Sequence, residues 1–324
     1  MAITKMLTTV CDETNQADKN QISCQMGYLR NTNIYLNFQA EEIPLSRPQH
    51  QNAALEKLII TQKGDSKLTL SRQEVIDEDI DIVMYYIMQY KKILTVLDLS
   101  GNFIGPEGAR KIANFVRNNQ VLNELILSVN GIGSEGAKFI ADAIAKNTKL
   151  QMFYLADNKI GAEGAQYIAQ AMQNNTTLIT LDIGENKIGD DGVVLICNAI
   201  KNNKTLTSIN LSGNRIGQKG IEALADILRS NQTLMKLNIE ENRMRDNGIE
   251  MIADAMRSNK TLLILNISNN QFEDDGLKYL VDTLKENTTL RELVLLDNEI
   301  LDAGIQYLMD LKKQNPQINL IYQQ

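Results

Sequence analysis

The sequence predicts an α/β solenoid, an arc of stacked coils with a parallel β-sheet on its concave face and helices on its convex face, and three residue ladders carry the prediction. Asn102, Asn130, Asn158, Asn186, Asn214, Asn242, Asn270 and Asn298 recur every 28 residues. Gly108, Gly136, Gly164, Gly192, Gly220, Gly248, Gly276 and Gly304 keep that period, as do Asn119, Asn147, Asn175 and their successors to Asn315. Eight copies of one unit follow from this. In each copy a short apolar alternation reads as a strand with one buried face. Ile168, Ala169 and Met172, or Leu224, Ala225 and Leu228, then recur at the spacing of a helix face. One copy cannot enclose that apolar surface, whereas stacked copies can.

Each unit opens as LxxLxLxxN: Leu178, Leu181 and Ile183 precede Asn186, with Ile188 two places on, and Leu262, Leu265 and Ile267 precede Asn270. This stretch resembles a leucine-rich repeat, and the 28-residue length with a helical second half resembles the ribonuclease-inhibitor-like class. The resemblance runs from Leu94 to Asn315. It implies that strand positions between the leucines point into the concavity and are not used by the core. The asparagine amide, with two donors and an acceptor, suits the backbone groups left open where the chain bends after each strand. The glycine at the helix entry suits a position that a β-carbon would crowd. It belongs to no phosphate loop, since neither GxGxxG nor GxxxxGK[ST] accompanies it.

In chain order, residues 1–54 form an irregular N-terminal cap segment. Asp12 to Gln21 is polar enough for loop or disorder. Ile34, Leu36 and Phe38 alternate like a half-buried strand, and Pro44 and Pro48 mark a break around Arg47 and His50, which reads as a surface residue. Residues 55–93 should hold a cap hairpin, Leu58 to Ile60 pairing with Leu68 to Leu70 across Lys63-Gly64-Asp65, and a degenerate first copy. A 29-residue shift maps Leu97 to Leu68 and Leu99 to Leu70, putting Gln73 at the asparagine position and Asp79 at the glycine position. The helix of that copy carries Ile80, Val83, Met84, Ile87 and Met88 on one face, for packing on the next copy. Residues 94–315 hold the eight regular copies and 316–324 a terminal strand at the sheet edge.

A net charge of −7 argues against a nucleic-acid partner, because backbone phosphates demand clustered Lys and Arg. Cys11, Cys24 and Cys197 show neither CxxC spacing nor an even framework, so no disulfide scaffold or zinc site is expected, and Cys197 reads as core. The cysteine-bracketed caps usual in ectodomain arrays are absent, which favours a reducing, cytoplasmic setting. The first apolar stretch is too short for a signal peptide, and no run of eighteen apolar residues predicts membrane insertion. No cofactor is expected.

With strands ~4.8 Å apart, eight to ten make a concave surface roughly 40 Å across, which suits a protein better than a metabolite. Ile126, Val129, Met152 and Tyr154 gather on that face as a candidate contact cluster. Asp157, Asp182, Glu185, Glu240 and Glu241 follow, an acidic stretch that would attract a basic surface and speed its capture. Just after the ladder asparagines run Lys159, Lys187, Arg215 and Arg243, expected to be balanced by neighbouring acids such as Asp157 and Glu185. The expected function is a non-enzymatic protein-interaction scaffold using the concave face, oligomeric state open. The alternative is a regulator of a small GTPase, because the activating protein of the nuclear-transport GTPase has similar repeats; Arg215 and Arg243 are then the candidate charge-stabilising residues. Richness in Asn, Lys and Ile also makes the chain resemble leucine-rich effectors that intracellular bacteria inject into host cells, which would place it in a host cytosol.

Overall fold

A three-residue strand cannot hold its own shape, so the coils are fixed by what they pass to one another. The computed structural model describes residues 46–90 and 93–323. The polar span Asp12 to Gln21, the alternation Ile34, Leu36, Phe38, and Cys11 and Cys24 lie outside the described residues. Ten strands and ten helices alternate among the described residues, the strands forming one open parallel sheet in sequence order. The strands are β1 (Lys67–Thr69), β2 (Val96–Asp98), β3 (Glu124–Ile126), β4 (Met152–Tyr154), β5 (Thr180–Asp182), β6 (Ser208–Asn210), β7 (Lys236–Asn238), β8 (Ile264–Asn266), β9 (Glu292–Val294) and β10 (Asn319–Ile321). The helices are α1 (Ala53–Thr61), α2 (Asp79–Tyr90), α3 (Pro106–Asn118), α4 (Gly133–Lys146), α5 (Gly161–Met172), α6 (Gly189–Ile200), α7 (Gln218–Ser230), α8 (Arg245–Ser258), α9 (Asp274–Leu284) and α10 (Asp302–Gln314).

The strand centres, from Leu97 and Leu125 through Phe153 to Leu293, stack in register and are fully buried with the helix row Ala109, Ala137, Ala165 and Val193. Both asparagine ladders work from inside this core. Asn186 donates from Nδ2 to the carbonyls of Leu155 (2.9 Å) and Gly184 (2.8 Å), and its Oδ1 accepts from the amides of Asn158 (2.9 Å) and Ile160 (3.3 Å) in the preceding copy. Asn147, in the second ladder, donates to Val116 (2.7 Å) and Asn119 (2.9 Å) carbonyls and accepts from Lys149 and Leu150 amides. It therefore satisfies groups at a helix C-terminus and the turn into the next strand together. The period of this ladder was visible in the sequence; its role was not assigned there. The recurring glycines sit in the first helical turn, where a β-carbon on Gly136 or Gly164 would overlap Ile132 or Ile160.

The expected hairpin is not present. Leu58 to Ile60 lie in α1, which Asn52 caps by accepting from the Leu55 amide (3.1 Å), with Leu55 and Ile59 buried one turn apart. The hydrogen bonds a hairpin strand would have made to β1 come from one side chain: Gln62 accepts from the Thr69 amide (2.9 Å) and donates to its carbonyl (3.1 Å). β1 instead pairs in parallel with β2, Leu68 opposite Leu97. Gln73 turns its side chain outward, while its amide donates to Asn102 Oδ1 (3.0 Å). Buried Asp79 accepts from the Ile76 amide, Asn52 and His50, so His50 is exposed, as expected, but tethered. On α2 Met88 is exposed, and Ile82 and Tyr86 join the buried side.

The helices start in two ways. Gly133, Gly161, Gly189 and Arg245 adopt left-handed φ of 65, 65, 63 and 54°, each donating its amide to a ladder-asparagine carbonyl of the next copy. By contrast Gly105, Gly217, Glu273 and Leu301 keep φ near −95 to −107°. Their amides are captured by Asp77, Asp190, Asp246 and Asp274 of the preceding copy at 2.6, 2.6, 2.8 and 2.9 Å. The aspartate lies 27 or 28 residues earlier; where Pro106, Ser134, Ala162 or Gln218 stands there instead, the chain takes the left-handed form.

Candidate functional site on the strand face

Because each strand from β1 to β9 buries only its central residue, the flanking residues face away from the core in two aligned rows. One row runs Asp98, Ile126, Tyr154, Asp182, Asn210, Asn238, Asn266 and Val294. The other includes Glu124, Met152, Thr180, Ser208 and Lys236. Ile126 and Tyr154 are register partners, and the Tyr154 hydroxyl lies 3.9 Å from Met152 Sδ, so these three half-buried side chains form one apolar patch. Burial first, then Glu124 and Asp182, push the Tyr154 phenol up, keeping it neutral as a donor.

Val129 stands apart from this patch. It occupies a bend beyond the strand, at φ 59° and 53% exposed, the position that Asp157, Glu185, Gly213, Glu241 and Asn269 take in later copies. All six have left-handed φ, between 49 and 61°, and a β-branched residue there is an outlier. These residues form a rim row. Gly213 breaks it, and a β-carbon there would overlap the Glu185 carboxylate, which leans across the gap. Partial burial, then Glu241, Asp157 and Glu240, raise the Glu185 carboxyl above its ordinary value. Asp157, Glu185 and Glu241 are exposed and Glu240 is half-buried, accepting from Asn266 Nδ2 at 2.9 Å.

Asp182 has a second task that its sequence position did not reveal. Its Oδ1 accepts from the Gly184 amide (3.0 Å), as Asp98, Asn210, Asn238 and Asn266 accept from the amide two residues on, closing the strand end. Burial raises its carboxyl, and the Gly184 amide and Asn210 offset part of that. The Asp or Asn that recurs at the last strand position of these copies is the signal that identifies this role.

The expected charge balance is not met: no ion pair joins Lys159, Lys187, Arg215 or Arg243 to a carboxylate within 4.0 Å among the described residues. Asp157 and Lys159, like Glu185 and Lys187, occupy positions on either side of a buried asparagine. Among the described residues no group of three or more His, Cys, Asp and Glu is placed to hold a metal, and no helix is long and apolar enough to cross a membrane. Cys197 is buried against α7, its thiol pushed up to about 12 by burial and Asp226. A hollow of about 220 Å³ beside it lies between α6 and α7, away from the strand face.

Eight segments, residues 91–113, 118–141, 146–169, 174–197, 202–225, 230–253, 258–281 and 286–309, match the family profile described as Leucine Rich repeat. No curated protein matches the chain in sequence. Among solved structures it is similar to Leiomodin-1 Actin-Binding Site 2, at 23% identity over 46% of this chain and 87% of that one, TM-score 0.42. It is similar also to the tropomodulin C-terminal domain of Caenorhabditis elegans, at 14% identity over 48% and 92%, TM-score 0.40. A third is TLR13 in a complex with ssRNA13, at 19% identity over 71% and 32%, TM-score 0.43.

Proposed function

From its membership of the leucine-rich repeat family, we infer that this chain is a non-enzymatic scaffold that binds a folded protein partner carrying a basic surface on the concave strand face. One observation carries the inference: the apolar patch Ile126, Met152 and Tyr154 adjoins a rim of solvent-facing carboxylates, Asp157, Glu185 and Glu241, that form no ion pair with a cation among the described residues. An apolar anchor beside unpaired charge supplies affinity and long-range capture respectively.

The test is affinity capture with the native chain, with Tyr154→Ala, and with a Glu240→Lys/Glu241→Lys double variant. Glu241 is exposed, whereas Tyr154 and Glu240 are half-buried and Glu240 accepts from Asn266, so urea unfolding of each variant checks that the fold is kept. A partner retained by the native chain and lost from both variants supports the site; undiminished binding overturns it. Association with the partner should slow as salt rises, since rim carboxylates are screened over about 10 Å at 0.1 M. The exposed Arg215 and Arg243, without an ion pair among the described residues, favour a second reading, activation of a small GTPase, which requires stimulated GTP hydrolysis that is lost on Arg215→Ala or Arg243→Ala. Delivery into a host cell by an intracellular bacterium belongs to the same proposal, and a translocation reporter fused to the chain would test it.

A further inference from the structure

The second asparagine ladder carries a chemical signature that its packing role does not need. Five of its members open Asn-x-Thr triplets: Asn175-Thr176-Thr177, Asn203-Lys204-Thr205, Asn231-Gln232-Thr233, Asn259-Lys260-Thr261 and Asn287-Thr288-Thr289. Each is an acceptor sequence for N-linked glycosylation, a modification of surface loops. In the transfer, the sugar C1–O bond of a lipid-pyrophosphate-linked oligosaccharide breaks and a C1–Nδ2 bond forms. One amide proton passes to a base and the lipid pyrophosphate leaves with the electron pair. The acceptor nitrogen must therefore be free in an extended segment.

In the folded chain these nitrogens are committed. Asn175, Asn231, Asn259 and Asn287 are only 3–6% exposed. Their Nδ2 atoms donate to the carbonyls of Ile144 (3.2 Å), Ile200 (3.0 Å), Leu228 (2.8 Å) and Met256 (3.1 Å) near the end of the helix of the preceding copy. Asn203, half-buried, donates to the Asn175 carbonyl at 2.9 Å. A sugar on any of these atoms removes a donor and inserts a bulky polar group between adjacent coils. Once folded, the ladder offers no acceptor; before folding, it offers five.

We propose that these five triplets make N-glycosylation and folding mutually exclusive in this chain, so that the array assembles only where the N-glycosylating transferase does not act. Three further triplets, at Asn174, Asn210 and Asn266, lie at an exposed helix end and on the half-buried strand face. They serve as internal comparisons.

The experiment expresses the full chain in cultured animal cells, with and without an added signal for the endoplasmic reticulum. A variant without any of these acceptors is run in parallel: Thr176, Thr177, Thr205, Thr233, Thr261 and Thr289→Val, with Ser212 and Ser268→Ala. Protease resistance reports folding and glycopeptide mass spectrometry maps the sugars. The cytosolic native chain should be resistant. The lumen-routed native chain should carry sugar on the five ladder asparagines and lose its resistant core, which the acceptor-free variant should regain in the lumen. A lumen-routed native chain as resistant as the cytosolic one, with or without sugar on the ladder, overturns the proposal. So does an acceptor-free variant that folds in the cytosol and fails in the lumen. If the variant fails in both places, the map on the native chain decides: sugar on the ladder confined to the non-resistant fraction supports the exclusion, and sugar only on Asn174, Asn210 or Asn266 in that fraction overturns it.

Discussion

Replacing Asn186 with alanine should remove about 4 kcal/mol of stability, and the figure follows from which partners have somewhere else to go. The side chain is fully buried and makes four hydrogen bonds. Two of its partners are partly insured. The Leu155 carbonyl keeps the Asn158 side-chain Nδ2 at 3.1 Å, and the Gly184 carbonyl keeps the Asp157 backbone amide at 3.0 Å. The Asn158 and Ile160 amides lose the acceptor that Oδ1 provides. A buried donor left without an acceptor costs about 1–3 kcal/mol, so two orphans give about 4. Asn298, half-buried with one such amide, that of Asn270, bonded to it at 2.8 Å, should cost about half as much on the same change. Exposed Asn174→Ala should fall within about 0.5 kcal/mol. Urea unfolding followed by circular dichroism measures all three, and hydrogen exchange should show the Asn158 and Ile160 amides losing protection. A cost below about 1 kcal/mol for Asn186→Ala, or one no larger than for Asn174→Ala, refutes the reasoning.

Other substitutions probe the two helix starts and the rim. Arg245→Gly should stabilise by about 1 kcal/mol, because Arg245 holds a left-handed φ where three sister copies have glycine, and thermal unfolding would register it. Asp190→Ala and Asp274→Ala both remove a capping carboxylate, at about 1 kcal/mol. The Asp274 change should be costlier, since Gly217 can retreat into the left-handed start and Leu301 cannot; equal losses would contradict this account. Glu185→Gln should raise stability at neutral pH. A carboxyl raised in the folded state binds more protons there than when unfolded, so its contribution weakens as pH rises through the window above the ordinary glutamate value. The advantage of the variant should therefore grow across the mildly acidic range and shrink toward pH 4, as read from paired urea titrations.

The regular copies were legible because periodicity is a property of the chain: Asn102 to Asn298 and the Leu-x-Leu alternation place strand, bend and helix without any long-range information. The first copy was harder. Leu58 and Ile60 fit an alternation, but Asn52 as a cap and the four-residue spacing of Leu55 and Ile59 favour a helix, and a glutamine side chain completed the edge that a second strand was expected to cover. The residues read as strand-face positions lie outside the core, five of them half-buried, but their groupings were not foreseeable. Val129 joins the rim because its copy enters a left-handed bend, and Asp182 is half committed to the Gly184 amide. Lys187 and Glu185 flank Asn186 in sequence yet form no ion pair among the described residues.

The aspartate that starts a helix belongs to the coil before it, so no single 28-residue copy is a self-sufficient part. Cutting between Asp190 and Gly217, or between Asp274 and Leu301, separates a lock from its key. Lengthening this protein by duplication, in a laboratory or over generations, would have to transplant coils in neighbouring pairs, and libraries that shuffle single coils should be poorest wherever a Leu301-type start is parted from its aspartate.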